Sequence, residues 1–238
     1  MLRTHGSDRR SSTAWPMLVI CLGMVTAIVG CGPVVMINKM VFGDPEIDSP
    51  FKLATGVDLT EGKHKVIIIC DAPSAIRDGD MTGLSHQLVE TLTRQLQREG
   101  VKVVESNDVR DWMDDNGGRL DDPRDLADEF DVDFIIHVDL LSVSFYEENS
   151  PDLFRGQAHG DLIGYRVETE DDEDSDEGER RMARQVFSSG FGSTYPEFSP
   201  IPASQVDSPR IFQRRFVQRL ASQLGHILHD HTAGTEVF

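Results

Sequence analysis

His137 and Asp139 stand two residues apart in an apolar stretch, the spacing that puts two side chains on one face of a β-strand. An imidazole and a carboxylate placed so can pass a proton between them. A hydrogen-bonded structural pair is the plainer reading of the same spacing and is the one adopted. Asp71, Asp78 and Asp80 follow an apolar run, at the carboxyl end where open α/β sheets take ligands, and are the candidates for a small ligand or divalent cation. Nine carboxylates fall within residues 168–179. Their Asp172, Asp174 and Asp176 have the spacing that opens a calcium loop. That loop also needs Gly at its sixth and Glu at its twelfth position, where Glu177 and Ala183 stand, so a solvated hairpin tip is expected. His226, His229 and His231 gather at the end of a C-terminal helical pattern. With no further ligand in a fixed frame, they read as a positive complement to a helix C-terminus.

The remaining motifs are incomplete. Gly79 and Gly83 lack the spacing and the lysine of a phosphate loop, and Gly190-Phe191-Gly192 is no better. There is no Gly-x-Ser-x-Gly elbow and no His-Glu-x-x-His helix. No catalytic residue, metal site or cofactor is assigned. Trp112, Phe191, Tyr195, Phe198 and Ile201 flank segments rich in Pro and Gly. Exposed aromatic and apolar side chains of this kind suit recognition of a protein partner. Covering the edge of a core is the alternative, and the sequence leaves both open.

The elements that would position these residues read clearly. Lys65–Cys70 is a β-branched run without alternation, which predicts a central strand buried on both faces. Leu84, Leu88, Leu92 and Leu96 recur every four residues, with Gly100 behind them, which predicts an amphipathic helix with a glycine cap. Val101–Val104 is a second strand, so a parallel βαβ unit is expected. Short helices follow over 107–116 and from Asp122-Pro123. Phe134–Phe145 is a third strand. Gly156–Glu168 and Met182–Phe191 alternate and complete an antiparallel meander. Ser208-Pro209 opens a last helix to about His231, with Phe212, Phe216, Leu220, Leu224 and Leu228 on one stripe. The fold class is therefore α/β, a mixed five-stranded sheet in the order β-α-β-α-β-β-β-α with helices packed on it.

The 238 residues contain 23 Lys and Arg against 41 Asp and Glu, a formal net charge of −18. So acidic a surface repels phosphate backbones, which argues against nucleic acid as a partner. Three Cys are too few for a disulfide framework. Arg3, Arg9 and Arg10 precede an apolar run from Trp15 to about Ile37, the layout of a secretory signal that leaves its positive flank in the cytoplasm.

Within that run, Ile28-Val29-Gly30-Cys31 resembles the lipobox of bacterial lipoproteins, with Val29 in place of the commoner Ala or Ser. The resemblance implies lipidation of Cys31 and cleavage just before it. Two or more acyl chains then hold the protein on a bilayer, where one would not. An uncleaved signal anchor over Trp15–Ile37 is the alternative, since about 23 apolar residues can span a bilayer. Cleavage would leave 208 residues of net charge −20, with Cys70 the only free thiol. The expected organisation is a signal peptide over 1–30, a lipidated Cys and tether over 31–64, an α/β domain over 65–231 and a flexible tail over 232–238. Gly32 rather than Asp after Cys31 resembles the pattern of outer-membrane delivery.

The order of elements behind a lipobox is also similar to the N-terminal domain of TolB, to the curli-secretion lipoprotein CsgG and to lipoproteins that activate penicillin-binding proteins. Leu126-Ala-Asp-Glu-Phe-Asp-Val-Asp-Phe-Ile-Ile136 matches their helix, corner and apolar strand, with Asp131-Val132 in place of a Gly-Ala corner. Tyr195-Pro196, Ile201-Pro202 and Phe212-x-x-x-Phe216 resemble a family of bacterial lipoproteins without assigned function. These resemblances imply a non-enzymatic envelope lipoprotein that binds or helps assemble another envelope component. The alternative is a signal-anchored extracytoplasmic module for a small ligand or divalent cation.

Overall fold

The computed structural model describes residues 46–73, 83–117, 120, 122–171 and 179–232. Cys31 and its lipobox, the apolar stretch over 34–42, Asp78, Asp80, the Asp172–Asp174–Asp176 tip and the tail beyond Thr232 lie outside the described residues.

The chain enters through β1 (Glu46–Ile47) and α1 (Pro50–Thr55). It continues through β2 (Lys65–Asp71), α2 (Leu84–Arg98), β3 (Lys102–Val103), α3 (Ser106–Asp115) and α4 (Pro123–Phe130). Three long strands come next: β4 (Phe134–Glu147), β5 (Ser150–Asp171) and β6 (Glu179–Tyr195). The short β7 (Ile201–Pro202), α5 (Pro209–Leu228) and β8 (His231–Thr232) finish it. The sheet runs β3-β2-β4-β5-β6, with β7 also against β5. β2 is parallel to β3 and β4, and the β4-β5-β6 meander is antiparallel. The mixed α/β sheet expected from the sequence is the one found, with β7 as a sixth strand.

Alternation along β2 and β4 builds two cores. Val66, Ile68 and Cys70, with Phe134, Ile136, Val138 and Leu140, pack against α1, α2 and α5. Leu88, Leu92 and Leu96 on α2 and Phe216, Leu220 and Leu224 on α5 are at most 1% exposed, so the predicted stripes face this core. Each such side chain stabilises the fold by about 1.5–3 kcal/mol relative to leaving it in water. Ile67, Ile69 and Ile135 point the other way, onto Val109, Leu126, Ala127 and Val132 from α3, α4 and the turn after it.

One boundary differs from the expected one. The tether was expected to run to residue 64, but Phe51 on α1 is 0% exposed and packs edge-on against Phe134 and Phe187. A single phenylalanine inside a short segment rich in Pro, Gly and Asp gives no periodicity, yet it anchors that segment to the first core. Ser49 caps α1 by accepting from the Lys52 amide, and the Ser49 amide itself donates to Asp230 Oδ1 at 2.8 Å. β1 pairs with β8, so the entry and the exit of the folded region are joined. The corner after α4 also has a physical explanation. Asp131 adopts φ 47°, in the left-handed region that favours glycine, and Asp is one of the few other residues that tolerate it. Its carboxylate is held by Arg181, whose guanidinium also donates to the Ala127 carbonyl at 2.6 Å.

Candidate functional site

The second face of the sheet is apolar only at its amino-terminal half. Beyond Ile69 and Ile135 it turns polar. The register places Asp71 opposite Asp139 across β2 and β4, and Asp139 opposite Asp161 across β4 and β5. Three carboxylates on adjacent strands therefore stand in one row on one face. The next position in that row is Gly190 of β6. His137 lies one step back, between Ile69 and Ile163.

His137 and Asp139 share a face, as their spacing required, but the partner of the imidazole is different. His137 Nε2 approaches Asp71 Oδ2 at 3.2 Å, diagonally across the parallel pair, with side-chain exposures of 12% and 18%. The contact lacks hydrogen-bond alignment, and Asp71 Oδ1 and His137 Nδ1 are also buried without a hydrogen-bond partner. Such a site presents carboxylate acceptor oxygens and an imidazole ring. Tyr165, on the same face below the row, has its hydroxyl pKa raised, first by burial and then by the Asp139 charge. Asp161 was not picked out from the sequence. It sits in an ordinary alternating strand, and only the cross-strand register brings it beside Asp139. Among the described residues no group of three His, Cys, Asp or Glu side chains has the geometry to hold a metal ion.

Cys70 is the next-to-last residue of β2 and lies on the opposite face. Its thiol is pushed up to about 12, chiefly by burial, so it stays protonated and inert as a nucleophile at neutral pH. The three C-terminal histidines do come together. The rings of His226 and His231 stack at 4.3 Å, and His229 packs edge-on to His226 at 5.9 Å. They lie around the β1–β8 junction rather than on the polar face. His229 Nδ1 sits 2.8 Å from the Asp230 carbonyl. The Asp230 carboxylate accepts from the Ser49 amide and the Lys52 ammonium, and Lys52 also meets Asp48 and Asp58. Its ammonium is held well above the usual lysine range, first by Asp230.

The five aromatic and apolar candidates do not form one patch. Trp112 packs on the second core, whereas Phe191, Tyr195 and Ile201 are partly buried against the first, across the sheet. A Cβ on Gly160 would meet the Asp139 backbone oxygen and, at 2.8 Å, the Phe191 ring, so that glycine lets both come close. Tyr195 lies against Phe212, with ring centroids 5.6 Å apart. Phe198 alone stands out, 90% exposed, in the loop between β6 and β7. Its neighbour Glu197 is fixed by Arg155 at the carbonyl and by Arg219 at the carboxylate.

Among the described residues no helix is long and apolar enough to cross a membrane. No protein-family model matches the chain, and no curated protein matches it. Solved structures that this chain is similar to include lipoprotein GNA1162 from Neisseria meningitidis, at 10% identity over 68% of this chain and 96% of that one, with a TM-score of 0.36. The PelC dodecamer from Paraburkholderia phytofirmans is 8% identical over 78% and 96%, with a TM-score of 0.41. Protein XCC0632 from Xanthomonas campestris, of the family DUF330, is 10% identical over 76% and 90%, with a TM-score of 0.39. Bacterial lipoproteins are thus among the chains this one is similar to, at a distance that transfers no functional residue.

Proposed function

We propose that the chain is a lipid-anchored envelope protein whose α/β domain binds, and helps to assemble, another envelope component without catalysing a reaction. The observation that carries this reading is the lipobox Ile28-Val29-Gly30-Cys31 behind a basic flank and an apolar run. A diacylated and N-acylated Cys31 supplies the stable membrane attachment that a single chain cannot. Gly32 in the following position favours the outer membrane over the inner. Phe198, exposed beside the anchored Glu197, is the aromatic side chain best placed to meet a partner. Phe191, Tyr195 and Ile201 pack against the first core on either side of this loop, and Trp112 packs on the second core across the sheet. Mass spectrometry of the native N-terminus tests the anchor: an acylated Cys31 is expected, and a chain still starting at Met1 would refute it. Cys31→Ser is expected to abolish lipid labelling. Crosslinked pull-down from membranes tests the partner, with Phe198→Asp expected to reduce its recovery.

A second reading rests on a different observation. The buried, unpartnered Asp71 Oδ1 and His137 Nδ1 sit at the carboxyl end of the parallel strands, where a small polar ligand or cation would find acceptors. Calorimetric titration with calcium tests it, and no heat at millimolar levels removes the cation version.

A further inference from the structure

An exposed strand edge is a row of unpaired amides and carbonyls, and proteins blunt such edges with charge, proline, bulges or short length. Three edges of this sheet are blunted. β3 has only two residues, one of them the exposed Lys102. β4 runs on past the end of β2, but its register shifts three times between Leu140 and Glu147. β7 has two residues, one of them Pro202. β6 is different. It is the last strand in the order, and Gln185–Tyr195 holds eleven consecutive residues without charge or proline. Its backbone pairs with β5 along this length. Among the described residues no other backbone pairs with it along this length, and the side-chain hydrogen bond found there runs from the Ser189 hydroxyl to its neighbour's carbonyl at 3.5 Å.

We propose that this β6 edge joins the same edge of a second copy of the chain in an antiparallel pair, extending one sheet across a two-fold axis near Gly190. The sequence is its own complement in that arrangement. A two-fold axis normal to the sheet keeps each face on its own side, so Gly190 meets Gly190 of the second copy and Ser188 meets Gly192. On the other face Ser189 meets Phe191, small against large. The charged residues that flank the segment have partners within the chain: Arg181 with Asp131, Arg184 with Glu168 and Glu197 with Arg219. The neutral run Gln185–Tyr195 is centred on Gly190, so every pair formed across the axis along this length is uncharged. The row of aspartates is no obstacle. Asp161 and its counterpart would be separated by three strand spacings, about 14 Å, beyond the Debye length of about 8 Å at physiological salt. A mutual edge also deepens the assembly role proposed above, on which it rests only for its setting on a membrane.

Gly190 is the position for the test, since a Cβ there meets nothing nearer than Asp161 Oδ1 at 3.5 Å. Directly opposed residues of an antiparallel pair are close enough for a disulfide. The full chain carrying Gly190→Cys, oxidised in native membranes, is expected to run at twice its mass without reductant. Wild type and Arg214→Cys, on an exposed position of α5, are expected not to. The same crosslink in a Cys31→Ser background is expected to persist, which separates this pairing from the lipid anchor: retention of the dimer supports the pairing, and loss of labelling supports the anchor. Gly190→Glu places two carboxylates face to face. It is expected to weaken the dimer at least tenfold in analytical ultracentrifugation of the detergent-solubilised full chain, with circular dichroism confirming that it folds. Absence of the Gly190→Cys dimer, equal crosslinking at Arg214→Cys, an unaffected Gly190→Glu dimer, or a crosslink only to a protein of different mass would each overturn the pairing.

Discussion

On the face of the sheet covered by α1, α2 and α5, buried apolar side chains follow the parallel strands to their carboxyl ends: Val66, Ile68 and Cys70 on β2, and Phe134, Ile136, Val138 and Leu140 on β4. On the face covered by α3 and α4 they stop halfway, after Ile67, Ile69 and Ile135, and give way to His137 and the row Asp71–Asp139–Asp161. A twenty-residue helix and a fifteen-residue helix serve the first face; helices of ten and eight residues serve the second. The short pair covers only part of its face, and the strands become polar toward their far end. One face therefore carries an apolar core along the whole length of the parallel strands, and the other carries half-buried polar side chains at their carboxyl ends.

The largest expected effect is on the first face. Phe216 is 0% exposed, contacts Phe145 edge-on at 5.8 Å, and lies over Gly156, whose would-be Cβ meets its ring at 2.5 Å. Phe216→Ala leaves a cavity and is expected to cost about 3–5 kcal/mol in urea unfolding. A cost below about 1 kcal/mol would end the distinction between a face that holds the fold and a face that does not.

The next largest lies where α1 is tied to the C-terminus. Asp230 accepts from the Ser49 amide at 2.8 Å and from Lys52, and its side chain is 10% exposed. Asp230→Ala leaves a nearly buried amide without its acceptor and is expected to cost about 1–3 kcal/mol. Hydrogen exchange should then show faster opening in residues 46–56 than in β2. Equal protection in the two segments would mean that Phe51 alone fixes α1.

That tie also marks the limit of what the sequence alone conveys. The β-branched run of β2, the leucine spacing of α2 and the aromatic stripe of α5 are local patterns, and local patterns set the sheet and its order. α1 has six residues, shorter than the length over which helical periodicity becomes visible, and its one core contact, Phe51, looks like any isolated aromatic. The candidate site was half legible. His137 and Asp139 announce a shared face by their spacing. The approach of His137 to Asp71 depends on how β2 and β4 align, and Asp161 joins the row only through the β4–β5 register. Pairing register is set by the packing of whole strands, so no short stretch of sequence contains it.

The aspartate row offers a sharper test of the second face. Like charges placed directly opposite destabilise a sheet by about 0.2–1 kcal/mol per pair. Asp139 stands opposite both Asp71 and Asp161, so Asp139→Asn removes two repulsions at once. It is expected to raise stability by up to about 1 kcal/mol at low salt, with the gain shrinking as salt screens the charges. A loss of stability would show that the row makes favourable contacts as it stands, and would turn the comparison of faces into one between two structural surfaces.

The smallest expected effect on stability falls on Phe198. Its ring is 90% exposed, so truncation gives up almost no buried area, and Phe198→Ala is expected to change stability by no more than about 0.5 kcal/mol. Tyr195 is the control within the same segment, being partly buried against Phe212 and the first core. Tyr195→Ala is expected to cost more than Phe198→Ala in the same urea titration. If Phe198→Ala leaves unfolding unchanged and still lowers recovery of the crosslinked envelope partner, exposure at this loop serves recognition. If it lowers both together, the ring supports the β6–β7 loop and the partner's contact lies elsewhere on the domain.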